Sequence, residues 1–120
     1  MNNDTIQLIV PKKADYISLI RLTSSAIASK LGFNIEDLED IKVLVGESCI
    51  LTLSSENTNK LDIEFKVVDD DLEILIKLDG ELDIDEINES EKKLSKMIIE
   101  SLADEVEYSK NSIRLIKSII

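Results

Sequence analysis

Apolar and polar positions follow two different periods along this chain, and the changes of period mark its elements. Thr5 to Val10 (TIQLIV) reads as a strand, closed by Pro11, which has no amide hydrogen for a ladder. From Asp15 to about Leu31 the spacing turns helical: Ile17, Ile20, Ile27 and Leu31 recur at helical intervals, and Gly32 stands where a helix commonly ends. Asn34 is an N-cap for a second helix, with Asp37 in the capping-box place, and Leu38, Ile41, Val45, Ser48 and Thr52 carry it to about Ser54. Ser55 to Asn59 is polar and reads as a loop. From Leu61 to Val68 the period drops to two, Leu61, Ile63, Phe65 and Val67 against Asp62, Glu64 and Lys66, as in a half-buried strand. Asp69-Asp70-Asp71 predicts a turn and Leu72 to Leu78 the return strand, while Leu82 to Asn88 fits neither period. Leu94, Met97, Ile98 and Leu102 predict a third helix over Glu89 to Leu102. Val106 and Ile113 to Ile119 predict a last hairpin turning over Asn111-Ser112.

Helices and strands in this order come in runs and do not alternate, which argues for α+β over a doubly wound parallel sheet. The expected fold is a two-layer sandwich: a mostly antiparallel mixed sheet of about five strands, covered on one face by three helices. With 120 residues and no repeat, linker or low-complexity tail, residues 1–120 read as one domain. Disorder is excluded by 19 Ile, 16 Leu and 6 Val.

Composition removes several kinds of chemistry. There is no His, hence no His relay, Ser-His-Asp triad or His metal site, and one cysteine, Cys49, makes neither an intrachain disulfide nor a Cys-rich zinc site. The three glycines, Gly32, Gly46 and Gly80, fit no glycine-rich phosphate loop. Cys49 lies in an apolar helical stretch and reads as a packed thiol. The net charge of −11, from 25 acids and 14 bases, repels nucleic acid and anionic membranes, and Lys12-Lys13 and Lys92-Lys93 are only pairs. Residues 62 to 91 hold 13 of the acids with only Lys66 and Lys77 as bases, which reads as a solvated acidic face or as a docking surface for a basic partner. No stretch approaches the ~20 apolar residues of a membrane span, and the first residues are polar, so a cytoplasmic, reducing location is expected.

The second helix holds Val45-Gly46-Glu47-Ser48-Cys49 after Ile35-Glu36-Asp37-Leu38-Glu39-Asp40-Ile41-Lys42, and the first holds Ile20-Arg21-Leu22-Thr23-Ser24-Ser25-Ala26-Ile27-Ala28. With the opening strand and Val10-Pro11, these resemble the N-terminal half of the anti-sigma-factor serine kinases. The segment from Ile99 to Val106 resembles the stretch just after that family's nucleotide lid. The resemblance implies the ATPase fold shared with histidine kinases, Hsp90-type chaperones and gyrase.

It also implies three nucleotide-binding boxes, and this chain departs from each. In the family, a Glu that acts as base and an Asn that helps hold Mg²⁺ stand four residues apart on one face of the second helix. Glu47 matches the Glu, but Leu51 stands at the Asn position and offers no oxygen to a hard cation. An Asp two residues before a Gly should read the adenine amino group; Leu78 takes that place before Gly80, with Asp79 adjacent and readable as an Asp-Gly turn. The glycine-rich lid corresponds to Glu91-Lys92-Lys93-Leu94-Ser95-Lys96, which contains no glycine.

The expected function is therefore a non-catalytic anti-sigma-like regulator that binds a sigma factor or an anti-anti-sigma (STAS-type) protein, with neither cofactor nor metal. Glu47 is the one retained box residue, Asp79 and Gly80 are the nucleotide-binding candidates, and Arg21 matches a family arginine on the partner-binding surface. The alternatives are a divergent ATP- and Mg²⁺-dependent serine/threonine kinase, or a module that binds nucleotide without turnover. Family resemblance and the apolar ending Ile113 to Ile120 also suggest a homodimer, although core packing explains that ending equally well.

Overall fold

The structure, a computed structural model, describes residues 4–53, 55, 57–83, 85 and 92–119. Its elements run β1 (Thr5–Pro11), α1 (Ile17–Lys30), α2 (Ile35–Thr52), β2 (Lys60–Val68), β3 (Asp71–Leu78), α3 (Lys92–Leu102), β4 (Glu105–Ser109) and β5 (Ser112–Ser118). A single 3₁₀ turn, Ala14–Tyr16, leads into α1. The strands form one sheet in the order β1-β2-β3-β5-β4, and every pairing is antiparallel, so the sheet is not mixed.

Register explains why one face is covered. Ile6, Phe65, Ile74, Leu115 and Val106 form one row across the strands, and Leu8, Ile63, Ile76, Ile113 and Tyr108 form the next. Apart from Ile6, which is exposed on the edge strand β1, these rows join or pack against the buried cluster that holds Ile20, Ile27, Ile41, Leu44, Val45, Leu51 and Ile99 of the helices. In α1 and α2 the buried hydroxyls of Ser24 and Ser48 donate to the carbonyls of Ile20 and Leu44, so neither buries an unmet polar group. Helix α2 lies between α1 and α3 and packs against both.

The opposite face of the sheet carries the alternate residues, and there the acids of β2 and β3 meet cations across the strands. Lys77 donates to Glu64 at 2.6 Å and lies 3.6 Å from Asp62; Glu64, through that hydrogen bond, and Asp62 hold the Lys77 ammonium above its ordinary range. Glu73, buried, takes Arg114 at 3.3 Å and Lys66 at 3.7 Å. This part of the acidic run is thus a paired ladder on the sheet.

Element ends are set by local chemistry. Asn34 accepts the Asp37 amide at 2.8 Å as the N-cap of α2, and Gly32 takes φ +91° after α1. Asp69 takes φ 56° in the two-residue turn Asp69-Asp70, and Asp71 already belongs to β3. The last hairpin turns over Lys110-Asn111, one residue earlier than expected, because Ser109 pairs with Ser112. The expected start of the third helix at Glu89 and the end of the second at Ser54 lie outside the described residues. The apolar ending packs in the chain's own core, through Ile113, Leu115 and Ile119.

Cys49 is buried, and desolvation pushes its thiol from 9.0 up to about 12. The native protein should therefore resist an aromatic disulfide reagent at pH 8 and react at once when unfolded, a difference read by absorbance. Because the folded value lies above the unfolded one, the stability tied to this thiol is complete below about pH 9 and declines as pH rises above it.

Candidate functional site

Glu47 and Leu51 lie one turn apart on α2, as their spacing predicts, but their surroundings differ. Glu47 is partly exposed, whereas Leu51 is 1% exposed and belongs to the core cluster that includes Ile99 of α3. The position expected to face a metal is thus taken up by packing.

The end of β3 is equally committed. Leu78 pairs with Leu61 across the sheet, and its amide donates to the Asn111 carbonyl at 2.9 Å. Asp79 points to a different partner: its Oδ1 accepts the amides of Asn59 at 2.8 Å and Lys60 at 3.4 Å. The Asn59 bond first, then the Lys60 bond, hold this exposed carboxyl below the ordinary aspartate range. Asp79 therefore ties the end of β3 to the loop after α2. Beyond Gly80 the chain is pinned again, since the Leu82 amide donates to the Lys110 carbonyl and Leu82 is buried.

Of the segment corresponding to a lid, Lys92 to Lys96 are helical and open α3; Glu91 lies outside the described residues. Lys96 sits 3.6 Å from Glu100 and 5.7 Å from the centre of the Tyr108 ring. Burial, and secondarily Glu100, push the Tyr108 hydroxyl up.

These residues do not fit Mg²⁺-ATP. Leu51 and Leu78 carry no polar side-chain atom and are buried, Asp79 already accepts two backbone amides, and the described part of the lid segment is regular helix. Among the described residues no group of three or more His, Cys, Asp or Glu is placed to hold a metal ion.

Arg21 is on α1 and exposed, and its stem lies against Gly46, the residue before Glu47. The structure thus brings Arg21 to the outer face of α2, where Val43 and Ile50 flank Gly46 and are exposed; Leu22, beside Arg21, is 65% exposed. Sequence reasoning missed the contact with Gly46, for which the available signal was a glycine inside a helix. It also missed Lys12, whose ammonium donates to the Ser55 carbonyl just beyond α2.

Three helices on one face of an antiparallel five-stranded sheet define a chain of the class to which the RsbW domain belongs. The crystal structure of the RsbU and RsbW domains of Rv1364c from Mycobacterium tuberculosis superposes with a TM-score of 0.74 at 10% identity, covering 96% of this chain and 32% of that one, which establishes the fold. No protein-family model matches the chain. Serine-protein kinase RsbW of Bacillus velezensis is 30% identical over 128 residues, 91% of this chain and 80% of that protein. The RsbW proteins of Bacillus licheniformis (34% over 108 residues, 86% of this chain and 66% of that protein) and Bacillus subtilis (29% over 130 residues, 92% and 81%) are similar in the same way. The chain belongs to the RsbW family of anti-sigma-factor serine kinases. Among the described residues no helix is long and apolar enough to cross a membrane.

Proposed function

We propose that this chain is a non-catalytic member of its family, a cytoplasmic one-domain regulator that binds a sigma factor or a STAS-type anti-anti-sigma protein without using nucleotide. The observation that carries the reading is Leu51, an aliphatic side chain packed into the core at the position where the family's metal-binding oxygen is expected. Phosphoryl transfer depends almost wholly on positioning and charge stabilisation, so losing the metal ligand and the lid together removes most of what catalysis needs. Arg21 is the proposed centre of the partner-binding face. It stands on a chain of net charge −11, so a partner that meets this face can offer acceptor oxygens to the arginine while basic groups elsewhere meet the acids. A homodimer is part of the proposal, and light scattering reads it directly.

The second reading is an ATP-dependent serine/threonine kinase. It is favoured by the relatives' name, serine-protein kinase, and by the retained Glu47. Thermal unfolding with millimolar ATP or ADP, each with and without Mg²⁺, separates the two. A nucleotide at a hundred times its dissociation constant stabilises by about 2.7 kcal/mol, which is about 10 °C for a chain of this size. No shift is expected. A Mg²⁺-dependent shift, together with phosphate transfer to a purified STAS-type protein, overturns the non-catalytic reading in favour of the kinase.

A further inference from the structure

We infer that Gly46 is the seat of Arg21: by leaving its β-carbon position to the arginine's stem, it fixes where the guanidinium leaves the surface and so sets the affinity of the partner-binding face. The affinity part rests on the reading of Arg21 proposed above; the seat itself does not. A β-carbon on Gly46 would lie 3.1 Å from Cδ, 3.4 Å from Nε and 3.6 Å from Cγ of Arg21, and these are its three nearest neighbours beyond the adjoining residues and the backbone of its own helix. Gly46 sits inside the 18-residue α2, where glycine is a poor helix former, and the one glycine with positive φ is Gly32. Backbone freedom therefore does not account for this glycine. Close approach of the α1 backbone does not either, because the nearest atoms belong to a side chain. What the missing β-carbon admits is the arginine's stem.

The result is an arginine with its stem in place and its head free. Gly46 is buried while Arg21 is exposed, and among the described residues no carboxylate lies within ion-pair distance of the guanidinium. Exposed Leu22, Val43 and Ile50 stand next to Arg21 or on either side of its seat. A weakly hydrated, planar cation in an aliphatic surround suits a protein partner that offers acceptor oxygens within an apolar rim. Ordering the stem before the encounter removes rotamer entropy that would otherwise be lost on binding.

The test uses Gly46→Ala, Arg21→Ala and the double variant. Gly46→Ala should melt at the wild-type temperature or higher, because alanine is the better helix former. By ¹⁵N relaxation, the Arg21 Nε–Hε group should nonetheless become more mobile while the α2 backbone amides stay as they are. With a purified sigma factor and a purified STAS-type protein from the same organism as probes, Gly46→Ala should weaken binding roughly three- to tenfold. That loss should vanish when Arg21 is already Ala. An Nε order parameter unchanged by Gly46→Ala overturns the seat, whatever binding does. A loss of binding of equal size with and without Arg21 overturns the coupling between the two. If Arg21→Ala binds both probes as the wild type does, the partner-face reading of Arg21 and the affinity claim fall together, while the relaxation result still decides the seat.

Discussion

Replacing Leu51 with Asn, the residue its family relatives would lead one to expect, should cost the fold about 3 kcal/mol and gain no nucleotide. Leu51 is 1% exposed and lies in the main core cluster, so the change removes most of a buried isobutyl group. It also places an amide inside the main apolar cluster, which Ile99 of α3 shares and where the side chain at this position is shut off from water. The nearby hydroxyls of Ser48 and Thr52 already donate to the carbonyls of Leu44 and Cys49. The introduced amide oxygen therefore loses its hydration without either hydroxyl proton to replace it. Such a loss is a large share of the ~5–15 kcal/mol that holds a domain together, and a urea titration would show it as a lower midpoint at unchanged slope. An Asn tolerated at wild-type stability, with a Mg²⁺-ATP shift gained, would mean that a cation slot lies open beside α2, and the kinase reading would take precedence.

How much of the fold is legible in the sequence depends on where the information sits. Period two in Leu61–Val68, period 3.6 in Ile17–Leu31, the Asn34 cap and the Pro11 stop are local, and β1 to β3, α1 and α2 fall within a few residues of the expected bounds. Five strands and three covering helices are implied by that order. Cross-strand facts are not legible, because they need register: that Glu64 meets Lys77, or that Glu73 sits between Lys66 and Arg114, depends on which residues face each other across neighbouring strands. Sequence alone therefore leaves residues 62–91 as either a solvated face or a docking surface; what register adds is that Asp62, Glu64 and Glu73 have cations beside them on neighbouring strands. At the candidate site, Leu51 is visible as an aliphatic in the wrong place, but not its burial. Asp79 is visible as an Asp-Gly turn, but its carboxylate reaches back twenty residues to Asn59, a contact no local pattern encodes. Gly46 carries a signal that local reasoning passes over: a residue that weakens a helix, kept in the middle of one.

Leu78→Asp should be the more damaging of the two restorations, lowering stability by about 4 kcal/mol at pH 7. Leu78 is 8% exposed, opposes Leu61 and donates its amide to Asn111. Its sequence neighbour Lys77 points to the other face of the sheet, held by Glu64 and Asp62, and so offers no counter-charge. A carboxyl in that setting is desolvated, and its folded pKa rises above the unfolded ~3.9. The neutral acid is then the form the fold tolerates, so the deficit against wild type is smallest near pH 4 and grows as pH rises towards the folded value. Asp79, one residue on, behaves in the opposite sense. Its carboxyl is held below the ordinary range by the Asn59 and Lys60 amides, so what it contributes is present above about pH 3.8 and is lost as pH falls further. Urea midpoints of Leu78→Asp and wild type, compared at pH 4.5 and pH 7, should therefore diverge with rising pH. If the gap is the same at both, the carboxyl has reached water, and the end of β3 borders an open slot of the kind an adenine ring enters.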